Sequence, residues 1–229
     1  EAVASLGAAP RGELHLGAPM SFGILHVAPA LAPFMAAYPG VRVDMVLDDR
    51  VQDLVAGGLD LAVRIGALGA SGSVVARRLA TASGTLCASP DYVARRGMPR
   101  APDELAAHDT LVYAYGADAD EWRMDGPDGP ASVATRPRLR SNNSLALREA
   151  ALAGAGVLRV PTFVVGEDLA AGRLVRVMPG WHLPRLDIHA VVPGRDYVPL
   201  KVRAFVDFLQ ARFGDPPAWE RGAGASAAG

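Results

Sequence analysis

The five histidines, His15, His26, His108, His182 and His189, are the first candidates for chemistry in this 229-residue chain, and their spacing argues against a metal. No two lie at i, i+3 or i, i+4, and no cysteine pair stands near them, so no ligand set for zinc closes. Cys87 is the only cysteine. It cannot form an intramolecular disulfide, which suits a reducing compartment, and it reads as a small buried hydrophobe. Ser21 stands where a strand turns into a helix, as a hydrolase nucleophile does, but Ala18-Pro19-Met20-Ser21-Phe22-Gly23 lacks the glycine-flanked elbow. Gly154-Ala155-Gly156 follows a helix and precedes a strand, the reverse of a dinucleotide fingerprint, and reads as a helix C-cap. Spacing yields no phosphate loop, catalytic carboxylate pair or triad. No cofactor, no metal and no catalysis are therefore expected.

Binding is what the spacing does offer. Polar or small residues mark three strand ends: Met20-Ser21-Phe22, Arg64-Ile65-Gly66 and Asn142-Asn143-Ser144. Two of these open helices, where unpaired backbone N–H groups and the positive dipole end favour a carboxylate or another anion. Open parallel sheets place their ligand crevice beyond the carboxyl ends of the strands, so a small anionic or polar ligand is expected there. Each residue also has a simpler reading. Ser21 and Asn143 can be plain N-caps, and Arg64 can pair with Asp60 or another carboxylate.

The elements that must hold these residues follow from periodicity. Leu14 and Leu16 alternate on a strand, and Ile24, Leu25, Ala28, Leu31, Ala32 and Met35 recur at helical spacing, with Pro29 and Pro33 expected to kink the helix. A strand at Val41 to Leu47, a short helix at Val51 to Val55 stopped by Gly57-Gly58, and an apolar strand at Leu59 to Ile65 complete a strand-helix alternation that implies a parallel sheet. Beyond the Gly66 to Ser73 loop, Arg77 to Ala88 reads as one long extended segment, and Ser89-Pro90-Asp91 caps a helix. A second alternating unit follows. It has a helix near Asp103 to Ala107, a strand at Leu111 to Tyr115, a loop and hairpin at Gly116 to Pro130, a helix at Leu145 to Ala153, a strand at Gly156 to Val160 and a helix from Thr162 to Gly172. Leu186 to Val192 is a further strand, and Val202, Phe205, Val206, Leu209 and Phe213 line the clearest amphipathic helix.

Composition narrows the class. Half of the residues are hydrophobic and 21% charged, a globular balance, with 23 Lys+Arg against 24 Asp+Glu for a net charge of -1. A near-neutral chain lacks the basic surplus that displaces counterions from nucleic acid, so any DNA contact is expected elsewhere. No uninterrupted apolar run of about 20 residues and no secretory leader pattern is seen, and neither a membrane role nor export is expected.

The same residues, taken in order, resemble the effector-binding domain of LysR-type transcriptional regulators. Arg11-Gly12-Glu13-Leu14, Pro19 with Phe22-Gly23, Pro29 to Phe34 and Tyr38-Pro39-Gly40-Val41 look like its opening. Val55 to Gly66, Ala76 to Ala80, Leu86 to Tyr92, Leu105 to His108, Asn142-Asn143, Ala150 to Val157 with Pro161, Gly172 to Val175 and Lys201 to Leu209 continue the likeness over about Arg11 to Phe213. Single pieces are weak, but so many in order are strong. Arg-Ile-Gly after the third strand, with Asn-Asn before the later helix, looks most like the branch related to CrgA.

The resemblance implies an α/β fold of two Rossmann-like lobes joined by two crossover strands, like type 2 periplasmic binding proteins. Lobe I would be residues 12–83 and 188–214, lobe II 84–187, residues 1–11 the remnant of a linker, and 215–229 a disordered tail. A small effector would bind between the lobes, at Met20, Ser21, Phe22, Arg64, Ile65, Gly66, Asn142, Asn143, Ser144, Val160 and Pro161. With Arg64 the one obvious charge in this set, a monoanion suits it better than a dicarboxylate. DNA would be bound only through a missing N-terminal winged helix-turn-helix, in the cytoplasm, by a homodimer or homotetramer with the helix from Ser21 to Ala37 as a contact. A transporter's solute-binding protein shares this architecture and is the alternative.

Overall fold

Leu14 and Leu16, alternating with less buried neighbours, are fully enclosed on β1 (Gly12–Ala18). The computed structural model describes residues 9–51, 53–68, 74–116, 119, 121–194 and 197–221. These divide into two units, one within Glu1–Ala80 and Asp187–Asp215, the other within Thr81–Leu186 and Pro216–Gly229.

In the first unit, β1 pairs in parallel with β2 (Val41–Leu47) and with β3 (Leu61–Ile65), while β11 (Leu183–Pro193) runs antiparallel to β3. The helix after β1 comprises α1 (Met20–Phe22), a π-helical turn (Gly23–Val27) and α2 (Ala28–Ala37). The expected proline kink is therefore a widened turn upstream of Pro29, where the Ala28 N–H reaches back to the Gly23 carbonyl. Pro29 lacks a backbone donor and follows directly on that widened turn. The 18 residues Met20–Ala37 form a helix long and apolar enough, by length and composition, to cross a membrane. Its buried residues serve a core instead: Phe34 packs edge-on against Phe205 of α7 (Leu200–Phe213) at 4.8 Å between centroids, and Phe22 against Phe213 at 5.6 Å.

The short helix expected at Val51 to Val55 is a hydrogen-bonded turn at Leu54–Gly58. Asp53 Oδ1 accepts from the Val55 and Ala56 N–H groups, starting a helical turn that Gly58, at φ +63°, ends at once.

The second unit carries α3 (Pro90–Arg96), α4 (Pro102–Leu105), β5 (Thr110–Tyr113), β6 (Glu121–Gly126), β7 (Gly129–Ala134), β8 (Pro137–Ser141), α5 (Ser144–Leu152), β9 (Val157–Pro161), α6 (Thr162–Ala170) and β10 (Val175–Arg176). Its strands are ordered β4-β9-β5-β8, where β4 spans Val74–Ala88. β5 is parallel to β8 and β9, and β9 is antiparallel to β4. The wholly parallel sheet expected from alternation is thus mixed in both units. The reason lies in β4 and β11, the crossover strands within which the chain passes at Ala80/Thr81 and Leu186/Asp187. Tyr92, Leu105, Val112, Trp122, Met124 and Val157 form the core of this unit.

A disordered tail from Asp215 is overturned as far as residue 221. α8 (Ala218–Arg221) folds onto the second unit, Trp219 is 7% exposed, and its indole N–H donates to the Thr81 carbonyl at 3.0 Å. A tryptophan among Pro, Gly and Ala supplies the apolar area that composition alone concealed. Residues 222–229, and residues 1–8 of the expected linker remnant, lie outside the described residues.

Candidate functional site

Parallel register brings the first two of the three expected strand ends to one sheet edge. Leu16 pairs with Leu61 and Gly17 with Ala62, so the carboxyl ends of β1 and β3 lie side by side, carrying Met20, Ser21 and Phe22 on one and Arg64, Ile65 and Gly66 on the other. Gly66, at φ +86°, turns the chain there and donates its N–H to the Asp187 carbonyl at 2.9 Å.

Ser21 does not cap its helix. Pro19 occupies the N-cap position without a capping side chain, and the Met20 N–H is taken by Asp49 Oδ1 at 2.8 Å. Tertiary pairing puts Asp49 there: Ala18 pairs with Leu47 and the Asp48 N–H donates to the Ala18 carbonyl, so the chain after β2 passes the helix start. Ser21 is 5% exposed, and its Oγ is buried without a hydrogen-bond partner. A buried hydroxyl left unsatisfied costs about 1–3 kcal/mol, so it calls for an explanation. Phe22 is fully buried among the rings of Phe213 and His26 and belongs to the core.

Arg64 is not the partner of Asp60. Asp60 accepts from Lys201 Nζ at 2.6 Å and from the His15 N–H at 3.1 Å. Burial pushes its carboxyl up, but these bonds outweigh burial and hold it below the usual range. Arg64 stands directly opposite His189 on β11, on the same sheet face, and His189 Nδ1 is a second buried atom without a partner. Sequence reading weighed His189 only as a metal ligand, because an isolated histidine in an apolar strand carries no local signal for any other role.

In the second unit the parallel strands again end together. Tyr113 pairs with Ser141 and Leu111 with Leu158, which places Asn142-Asn143-Ser144 and Val160-Pro161 along one carboxyl edge with β5 between them. Asn143 is the N-cap of α5: its Oδ1 accepts from Leu145 N–H at 2.8 Å and Ala146 N–H at 3.2 Å. Asn142 Nδ2 donates to the Tyr115 hydroxyl at 3.4 Å, and Ser144 is the first residue of α5. Val160 is buried, and Pro161 is the N-cap of α6 without a capping side chain. Beside it Thr162 is fully buried, its hydroxyl accepting from the Ser83 N–H at 3.2 Å.

Other reactive groups are spent on structure. Cys87 is fully buried, and burial pushes its thiol up to about 12. Among the described residues no group of three or more His, Cys, Asp and Glu side chains could hold a metal ion. Both sheet edges carry hydrogen-bonding groups, and Arg64, whose charge also acts on Asp53, places a guanidinium on the first.

Comparison with known proteins points one way. A family profile described as the LysR substrate binding domain matches residues 7–214. The chain is 38% identical over 217 residues to the HTH-type transcriptional regulator PtxR of Pseudomonas aeruginosa, covering 94% of this chain and 69% of that protein. It is 38% identical over 215 residues to an HTH-type transcriptional regulator of Xanthomonas campestris, covering 92% of this chain and 62% of that protein. The solved regulatory domain of CrgA, a LysR-type transcriptional regulator from Neisseria meningitidis, matches with a TM-score of 0.81 at 28% identity, over 90% of this chain and 100% of that one.

Proposed function

The chain belongs to the LysR family as an effector-binding domain, and on that premise we propose that it binds a small polar or anionic metabolite, for which the carboxyl sheet edge of each unit supplies candidate contacts. Ser21 and Arg64 contribute from the first unit, and Asn142, Asn143 and Ser144 with the Val160-Pro161 end from the second. Met20, Ile65 and Gly66 shape the first edge. The observation that carries this reading is the buried Ser21 hydroxyl without a partner, beside a strand end that bears a cation. A ligand that accepts from or donates to Ser21 removes the cost of that atom. The similarity to regulators gives no support to a transporter's solute-binding protein.

Binding without transformation is sufficient. An effector that prefers one arrangement of the two units shifts the population toward it by as much as its affinities differ. We propose that this shift is passed to a helix-turn-helix segment outside these residues, in the cytoplasm, where DNA is contacted. The family relatives are HTH-type regulators and extend beyond the length that this chain matches, which supports that division of labour. Self-association as a homodimer or homotetramer is part of the same reading. Ile24 and Met35, both exposed on the Met20–Ala37 helix, offer an apolar contact.

A metabolite library screened by thermal shift tests the site. A true effector raises the melting temperature of the wild type, and the rise shrinks in Ser21→Ala, Arg64→Ala and Asn143→Ala, each measured against its own ligand-free value. An undiminished rise in all three places the ligand elsewhere. Light scattering tests association, and a monomer at high concentration counts against it.

A further inference from the structure

Within the second unit the C-terminal helix delivers a carboxylate to a waiting set of donors. Glu220 Oε1 accepts from the Ser83 N–H at 2.7 Å and from the Thr162 hydroxyl at 2.5 Å, and Glu220 Oε2 accepts from the Ser83 hydroxyl at 2.9 Å. Pairing of Gly84 with Pro161 fixes β4 against β9, so the two residues that supply these donors are held by a sheet ladder. Thr162, fully buried, also opens the nine-residue α6. Arg176 donates to the Thr85 hydroxyl at 2.7 Å and feels the Glu220 charge. Three hydrogen-bond donors converging on one carboxylate suit an oxyanion.

The carboxylate that fills this place is lightly attached. α8 has four residues, too few to be stable alone, and it follows directly on the turn that ends α7. Glu220 is only partly buried, so solvent reaches it. Trp219 is the other anchor, its backbone lying so close to α6 that a Cβ on Gly166 would stand 2.8 Å from the Trp219 carbonyl oxygen.

We propose that Ser83 and Thr162 form a carboxylate-binding site whose resident ligand is the chain's own Glu220, and that a small free monocarboxylate competes with the C-terminal segment for it. Filling by the free acid releases α8, and so couples the site to the state of the tail. This inference rests on the proposed effector edge at Val160-Pro161, which it extends by the next residue, and the Thr162→Val/Glu220→Ala variant separates its failure from that of the Ser21 and Arg64 contacts.

A tethered ligand acts at an effective concentration of about millimolar or more, so the tail masks the site until it is removed. The test is acetate, titrated against sodium chloride at matched ionic strength into the wild-type chain, Glu220→Ala and the double variant Thr162→Val/Glu220→Ala. Acetate is expected to raise the melting temperature of Glu220→Ala at concentrations about tenfold lower than it acts on the wild type. The double variant loses the response. In the wild type, acetate and not chloride speeds chymotryptic cleavage after Trp219. An acetate response in Glu220→Ala no greater than in the wild type overturns the proposal, as does one that survives in the double variant. Should Glu220→Ala not fold, Glu220→Gln carries the same comparison, and failure of both to fold would mark the carboxylate as a fixed prop and sink the idea.

Discussion

Arg148 clasps Asp168 at two points, Nε to Oδ2 at 2.5 Å and Nη2 to Oδ1 at 2.9 Å. Arg173 closes on the same carboxylate, Nε to Oδ1 at 2.8 Å. The Asp168 side chain is 1% exposed, so it lies on α6 as a buried charge shared between α5 and the chain just after α6. Burial pushes this carboxyl up, but the two guanidinium groups outweigh burial and hold it below the usual range.

Replacing the charge should therefore be costly. Asp168→Asn strands the Arg148 guanidinium, and a loss of about 3 kcal/mol is expected in urea unfolding. Arg173→Ala should cost much less, because that side chain is half exposed and water replaces the pairing. Equal losses for the two variants would show that the clasp is not the source of the stability.

Acid should weaken the fold in two stages. His108 accepts or donates at Nδ1 to the Tyr92 hydroxyl at 3.0 Å, and burial, aided by Arg96, lowers its value below 6.5. The unfolded chain then binds the proton more readily, so stability present above pH 6.5 is lost as the pH falls through the folded value. Asp60 and Asp168 are also depressed, and their contribution, present above 3.8, is lost below it. Melting temperatures from pH 8 to 3 should show both stages, with His108→Gln removing the first.

Asn143 tests capping separately from binding. Asn143→Ala should cost about 1 kcal/mol of stability through loss of both bonds to Leu145 and Ala146, while Asn143→Asp, which can still accept them, should cost little. Denaturant midpoints for the two variants decide the point.

Cys87 should be silent in the native protein. A fully buried thiol pushed up to about 12 presents almost no thiolate at neutral pH. Ellman's reagent is expected to react only after denaturant is added, and fast native labelling would contradict the burial.

The sequence was most legible where local chemistry and tertiary position agree. Ser89 before Pro90 caps α3 through the Tyr92 N–H, as its type and spacing foretell, and Leu14 and Leu16 occupy the buried face their alternation predicts. β8 was missed because Pro-Arg-Leu-Arg-Ser is almost entirely exposed and has no apolar alternation; only its pairing with β5 makes it a strand. The alternative reading of Ser21 as an N-cap fails because nothing local reveals that Asp49, beyond β2, reaches the helix start first. Glu220 and Trp219 were lost in a stretch whose composition promises disorder, although one indole outweighs several small residues in the apolar area it can bury.

Lys201 is the single lysine of the chain, and its ammonium is shared between Asp60 and the Glu13 carbonyl at the foot of α7. An endoprotease that cuts only after lysine thus has one internal target, guarded by folding of the first unit. Nicking there becomes a built-in stopwatch for the opening of that unit, read as two fragments on a gel without any label.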